Sequence, residues 1–197
     1  MTNAENVKVV EFRGVDNLYF AEVTTDNKEE YVTETPELLS AVAEIAKTTV
    51  VATETKYYDN CPSEVIRAEG SDTITLTIAV PSLETMAKLT GKQYVNGRLV
   101  DAPSVAPYFA LGYRFKKTDG SYRFVWRLKG KFSTPDEGSA TENEGTDTKN
   151  MTLIYTGIAT KRSFDNGGKA KGIAIDAESK DDFFDSVVTP DTPLEEA

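Results

Sequence analysis

The stretch GYRFKKTDGSYRFVWRLKGKF, residues 112–132, decides the fold class of this 197-residue chain. Two runs of ring-bearing and basic residues lie on either side of Thr118-Asp119-Gly120, a combination typical of a β-hairpin. The stretch holds seven Lys or Arg and one Asp, although the whole chain has a formal charge of −10 and a pI near 4.6. It therefore predicts two paired strands that concentrate positive charge in an acidic protein.

Alternation with period two sorts the side chains of this hairpin into two sets. The first set is Tyr122, Phe124, Trp126 and Leu128, with Phe109, Leu111, Tyr113 and Phe115 on the facing strand, and the second is Arg123, Val125, Arg127 and Lys129, with Arg114 and Lys116. A nucleic-acid platform needs rings and cations exposed on one surface. We therefore expect the rings of both strands, Trp126 included, to enter the core and the cations to face outward, which disfavours nucleic-acid binding.

Other segments also read as strands punctuated by turns. They lie at 7–12, 17–25, 72–80, 94–100, 151–162 and 170–176, with a turn at 13–16 and an Asn-Gly hairpin tip at 96–97. Many short strands and few helices predict an all-β sandwich or barrel with one short flanking α-helix and long loops.

The flanking helix is predicted at Ser82–Gly91, where a serine N-cap follows Pro81 and a glycine ends the segment. Leu83, Met86 and Leu89 fall on one face of that helix. Residues 35–47, TPELLSAVAEIAK, have helix-like features but run into a strand-like segment, so helix and strand both stay open there.

The chain divides into a β domain at 1–175 and an acidic C-terminal segment at 176–197. The domain contains a long polar loop at 133–150, which is rich in acids and almost free of apolar residues. Loops of this length are usually functional or disordered. The order of the loop and of the C-terminal segment is left open by the sequence.

Composition excludes several kinds of catalytic site. The chain has no histidine and one cysteine, Cys61, so triad chemistry, histidine-based zinc sites and an internal disulfide are excluded. Carboxylate pairs at 136–137 and 181–182 lie in polar segments where burial would not separate their pKa values, which disfavours a hydrolase. We predict no catalytic, cofactor-binding or metal-binding residue and no enzymatic activity.

No apolar run approaches the roughly 18–20 residues of a membrane span, and the first residues lack the pattern of a secretory signal. We expect the protein to be synthesised in a reducing cytoplasm and not to associate with a membrane.

A family resemblance rests on the order and spacing of several pieces rather than on one motif. These are KYYDN (56–60), ITLTIAVPSLETMAKLTG (74–91), the Asn-Gly hairpin, PYFALGYRFKKTDGSYRFVWRLKGKFSTPDE (107–137), MTLIYTGIATKR (151–162) and DFFDSVVTPDTP (182–193). The segment from about Thr55 to Pro190 resembles the major tail proteins, or tail tube proteins, of long-tailed, non-contractile bacteriophages. It departs from the family at Phe183-Phe184, where members usually carry a pair such as Trp-Phe.

The resemblance implies a β-sandwich that assembles with copies of itself into hexameric rings, and the rings stack into a tube. It implies a location in the virion tail after synthesis in the bacterial host, with tape-measure and terminator proteins as further partners. DNA would pass through the acidic lumen without specific binding, because an acidic wall repels phosphates. Glu11 and Glu22 are the acids we expect to face the lumen.

The separate positive and negative segments of one chain favour contacts between copies. We predict that Arg123, Arg127, Lys129 and Lys131 of one subunit meet acids in the loop of the next, namely Asp136, Glu137, Glu142 or Glu144. Under this prediction, reversing Arg127 to Glu weakens tube formation and leaves the monomer folded.

The sequence leaves two alternative functions open. A tail terminator or head–tail connector of a phage has a related fold and would form a single closed ring. A non-catalytic β-sandwich that binds carbohydrate or peptide is a further alternative, although it would need rings exposed on a sheet face.

Overall fold

A computed structural model describes residues 9–135, 138, 149–180 and 182–193 of the chain. Within them the strands are β1 (Phe12–Asp26), β2 (Tyr31–Thr33), β3 (Glu37–Leu38), β4 (Val42–Tyr58), β5 (Cys61–Ile78), β6 (Gln93–Val95), β7 (Arg98–Val100), β8 (Phe109–Lys117), β9 (Tyr122–Phe132), β10 (Met151–Gly157) and β11 (Gly172–Ala177). The helix α1 (Leu83–Thr90) lies between β5 and β6. The prediction of an all-β chain with a short helix is confirmed.

The strands form one large antiparallel sheet and one small hairpin. The order in the large sheet is β2-β1-β8-β9-β10-β5-β4, while β3 pairs with β1 and β11 pairs with β9. β6 and β7 form the separate hairpin, with Asn96 and Gly97 at its tip at φ 52° and 77°. The predicted Asn-Gly turn is therefore confirmed, since both central residues of such a turn need positive φ.

The first core lies on one side of the large sheet. β1 and β8 contribute Leu18, Phe20 and Leu111, and β5 contributes Ile74, Leu76 and Ile78, all of them buried. The predicted alternation at 72–80 is confirmed, because Ile74, Leu76 and Ile78 point into this core while the intervening threonines remain partly exposed. The sheet thus curls until strands distant in its order share one core.

The second core covers the opposite side of β9. Trp126 is completely buried there, and its indole Nε1 donates a hydrogen bond to the carbonyl of Phe183 at 3.0 Å. Phe183, Phe184 and Val188 pack into the same cluster. The expected core position of Trp126 is confirmed, and the domain boundary drawn at residue 176 falls inside β11 (Gly172–Ala177).

The register of β8 and β9 corrects one prediction. Arg114 lies opposite Phe124 and Phe115 lies opposite Arg123, and residues directly opposite in an antiparallel pair share a face. Each face of the hairpin therefore carries the rings of one strand beside the cations of the other, and the expected separation of rings from cations is wrong. Alternation along one strand fixes its own two faces, but the turn and the shift between Phe109 and Leu111 set the register between strands.

The helix follows its predicted capping residues. The Ser82 hydroxyl accepts a hydrogen bond from the Thr85 amide at 3.1 Å, and Gly91 ends the helix at φ 70°. Of the three residues on the predicted apolar face, Met86 and Leu89 are buried and Leu83 is 53% exposed. At eight residues, α1 does not meet the length and apolar character required of a membrane-crossing helix, nor does any other helix in the described residues.

Two further segments differ from the expectations. Residues 13–16 are strand within β1, not a turn, and the irregularity of β1 lies in its register shifts and at Asn17, whose φ is 53°. The open choice at 35–47 is resolved as strand, because β3 (Glu37–Leu38) and the start of β4 occupy it.

Candidate interaction surface

The four cations predicted to bind a neighbouring subunit have partners in their own chain. Arg123 donates to both oxygens of Asp176 at 2.8 and 2.9 Å, and Lys117 approaches the same carboxylate at 2.7 Å. The hydrogen bond from Arg123 holds the pKa of Asp176 well below its usual range. Arg123 therefore fastens β11 to β9 within one molecule.

Lys129 is 5% exposed and pairs with the equally buried carboxylate of Asp26. Burial by itself would raise the pKa of Asp26, but hydrogen bonds from Lys129 and from the amides of Lys161 and Arg162 outweigh it and lower the pKa. The assignment of Lys129 to a contact between subunits is corrected, because its ammonium group is enclosed by its own chain. Lys131 lies 4.5 Å from the ring centre of Tyr108.

Arg127 lies at the side of a buried acid. Its guanidinium is 3.7 Å from the carboxylate of Asp72 and donates to the Tyr113 hydroxyl at 3.4 Å. Reversing Arg127 to Glu would place a second carboxylate beside Asp72, so we expect the change to destabilise the monomer as well as any tube.

The acids predicted for this interface, Asp136, Glu137, Glu142 and Glu144, lie outside the described residues. Glu11 and Glu22 are exposed, one just before β1 and the other within it. Whether they face a lumen stays a prediction, as does pairing of Arg123, Arg127 and Lys131 with a second copy.

The motifs singled out in the sequence do not indicate one feature of the structure, a projecting β-hairpin. β4 and β5 stay paired well beyond the rest of the large sheet, which we call the body. This extension runs from the pair of Val51 with Glu69 to the two-residue turn at Asp59-Asn60. Both turn residues have positive φ, 50° and 62°, as a tight hairpin turn requires. We call residues 51–69 the arm; at ~3.3 Å per residue the eight residues of its β4 strand reach about 26 Å.

The arm has no buried face. Every residue from 51 to 69 is exposed except Lys56, which is half-buried. The large apolar side chains left in solvent are Val51, Tyr57, Tyr58, Val65 and Ile66, each between 41% and 66% exposed. The signal for such a ribbon in the sequence is the presence of valine and threonine at 51–55 and of the Val65-Ile66 pair on the return strand, with no alternating apolar face.

Both edges of the arm are also open among the described residues. β4 is the last strand of the sheet, and β10 pairs with β5 only over Asp72–Ile78, which leaves the outer edge of Cys61–Glu69 without a neighbour. Unpaired edges of this kind are sites where another strand adds. The arm therefore offers backbone hydrogen-bonding groups and apolar side chains together.

A cluster of charges lies where the arm leaves the body. The Asp72 side chain is 3% exposed and accepts a hydrogen bond from the Thr49 hydroxyl at 2.9 Å. The ammonium groups of Lys47 and Lys171 lie 3.3 Å from its two oxygens, with Arg127 close by. Burial would raise the pKa of Asp72, but the Thr49 hydrogen bond and the two lysine charges outweigh it and lower the pKa.

Comparisons with known proteins do not identify a family for this chain. No family model matches the chain, and no curated protein matches it either.

Proposed function

We propose that this protein is a structural subunit that assembles with copies of itself into hexameric rings, and that the rings stack into the tail tube of a long-tailed, non-contractile bacteriophage. The tube encloses an acidic channel for DNA during ejection. The role is mechanical, without a catalytic residue, cofactor or metal. The observation that carries the proposal is the arm, a ribbon with two open edges and no core of its own.

An isolated two-stranded hairpin is marginally stable in water, because it buries too little apolar surface. The arm shows this weakness, since Val65 and Ile66 on its opposite faces are 64% and 44% exposed. A partner that adds a strand to either edge would pair the free backbone groups and cover these side chains. The arm is therefore suited to a contact with another polypeptide.

Charge supports a second copy of the chain as that polypeptide. The arm carries the acids Glu54, Asp59, Glu64 and Glu69 against the bases Lys56 and Arg67. At its base, three partly exposed cations surround the single carboxylate of Asp72. Each copy thus has an acidic projection and a basic region, and a head-to-tail contact between unlike surfaces generates rings when its rotation closes.

The net charge of −10 supports the channel. A wall that carried clustered Lys and Arg would bind DNA phosphates through counterion release, whereas an acidic wall lets the duplex slide. Under this proposal Glu11 and Glu22, both exposed, are the acids assigned to the lumen. The family resemblance stated above gives the ring number and the stacking.

Negative-stain electron microscopy of the purified protein over a series of concentrations tests the proposal. Tubes are the expected product. Single closed rings would instead favour a tail terminator or head–tail connector. Monomers at every concentration and salt would overturn the proposal.

The part played by the arm is tested by Val65→Lys, which places a charge on an exposed apolar position of β5. The matched control is Val105→Lys, because Val105 is 84% exposed and lies outside the arm. We expect Val65→Lys to stay monomeric with an unchanged unfolding curve, while Val105→Lys forms tubes like the parent protein. Equal tube yields from both variants would show that the arm is not the contact.

A further inference from the structure

The arm joins the body at an irregular point of the β4–β5 ladder. Regular pairing ends at Thr49–Asp72 and resumes at Val51–Glu69, so one residue of β4 faces two residues of β5, Gly70 and Ser71. Such a bulge interrupts the ladder and lets a strand pair bend. Since the arm is exposed on both faces, packing does not fix its direction beyond this point.

The charge cluster spans this point. Lys171, which precedes β11, lies 3.3 Å from Asp72 on the body side and 4.0 Å from Glu69 on the arm side. On β4, Lys47 donates to the Thr49 hydroxyl at 2.7 Å and lies 3.3 Å from Asp72. Lys47, Thr49 and Lys171 each contact the carboxylate of Asp72.

We propose that Asp72 is a positioning residue that clamps the arm in one direction relative to the body. Its carboxylate joins β5 to β4 just before the bulge through Thr49 and Lys47. It binds the rest of the sheet through Arg127 on β9 and through Lys171, which also lies 4.0 Å from Glu69 in the arm. A buried charge held by several directed partners tolerates few geometries, because any displacement leaves an unpaired charge out of water. The clamp thus replaces the packing that the arm lacks.

The consequence for assembly rests on the function proposed above. An arm already held in its bound direction loses less conformational entropy on docking than a freely swinging one. Loss of the clamp should therefore lower tube yield without altering the arm's own surface.

The chain provides a natural probe pair for the direction of the arm. Cys61 is the only cysteine, is exposed and lies at the arm tip, and Trp126 is the only tryptophan and is fixed in the second core. Time-resolved energy transfer from Trp126 to an acceptor on Cys61 gives the distribution of distances between body and tip. It is measured at a concentration where the protein is monomeric.

Asp72→Asn keeps the shape of the side chain and removes its charge. We expect the width of the distance distribution to roughly double, because the arm then moves on the timescale of loops and hairpins. The control is Asp176→Asn, which breaks the ion pairs to Arg123 and Lys117 without touching the arm, and its distribution should match that of the parent protein.

If Asp72→Asn does not fold, Lys171→Met and Thr49→Val each remove one clamp contact and leave the carboxylate with its other partners. Each should widen the distribution by a smaller amount. A distribution as narrow as that of the parent protein in the folded variants would overturn the clamp. Failure of the parent protein to form tubes would overturn the proposed function and leave the clamp standing if the distribution still widens.

Discussion

β5 is one strand of 18 residues whose two halves lie in different surroundings. From Asp72 to Ile78 it is paired on both edges, and alternate side chains are buried in the first core. From Cys61 to Glu69 it is paired on one edge and exposed on both faces. Pairing with β4 is therefore enough to define the strand, but a neighbouring strand and a second layer are needed to turn one of its faces into core.

Substitutions of apolar side chains on β5 should show the largest difference between body and arm in the free energy of unfolding. Leu76→Ala should cost about 4 kcal/mol in the free energy of unfolding, because Leu76 is completely buried and its removal leaves a cavity. Ile66→Ala, in the arm, should cost less than about 0.5 kcal/mol. Urea denaturation of the monomeric variants measures both values, and equal losses would show that the arm is packed in solution.

Ion pairs offer the next comparison. Lys129→Met should cost about 3 kcal/mol, because it leaves the buried carboxylate of Asp26 without its cation. Lys56→Met removes the exposed pair with Glu54 in the arm and should cost less than about 0.5 kcal/mol. Thermal unfolding at neutral pH separates the two, and a small loss for Lys129→Met would contradict the buried pair.

The ion pair of Lys129 with Asp26 also predicts how the free energy of unfolding depends on pH. Because the folded pKa of Asp26 is lowered from its ordinary value of 3.8, its stabilisation is fully present above that value and is lost as the pH falls through the lowered pKa. The parent protein should lose stability steeply below pH 3.8, and Lys129→Met should show a shallower slope. Parallel slopes for the two proteins would exclude Asp26 as a source of this dependence.

Substitutions of glycine by alanine should give a smaller difference in the free energy of unfolding. A Cβ at Gly130 would lie 2.3 Å from the ring of Tyr155 and 2.5 Å from the carbonyl oxygen of Thr156, so Gly130→Ala should cost about 2 kcal/mol. At Gly70, in the bulge next to the arm, the nearest atom to a Cβ is 3.4 Å away on Val50. Gly70→Ala should be neutral or slightly stabilising in the same denaturation experiment, and equal destabilisation of both variants would contradict this picture.

The smallest expected difference concerns serine hydroxyls. Ser82→Ala should cost about 1 kcal/mol, because it removes the N-cap of α1. Ser63→Ala, in the arm, removes an exposed hydrogen bond to the Cys61 carbonyl and should change stability by less than about 0.5 kcal/mol. Differential scanning calorimetry resolves the two if the cap contributes as expected.

Local patterns predicted local structure well. The Asn-Gly tip, the Ser82 cap and the alternation of β5 each follow from contacts between residues close in the chain, and all three are present. Trp126 was placed in the core correctly because large rings at alternating positions rarely remain exposed.

The prediction that Lys129 contacts a neighbouring subunit is wrong, because its surroundings depend on long-range geometry. The partner of Lys129 is Asp26, more than a hundred residues away, and no periodicity along the chain indicates that contact. The acids of the predicted interface were chosen from the long polar loop, because its composition is unusual. The arm has the composition of an ordinary strand and gives no such signal. Its exposure depends on where β10 stops pairing, which is a property of the assembled sheet.

The sequence by itself determined the all-β class, the hairpin turns at Asn96-Gly97 and Thr118–Gly120, the helix caps and the acidic charge, because these depend on backbone preferences and residue types over short distances. Only the tertiary structure decided which strand faces became core, which cations were enclosed and how far the β4–β5 ribbon extends past its neighbours. Burial and register are set by the elements that meet in space, and a strand with the same alternation is buried or exposed according to what packs on it.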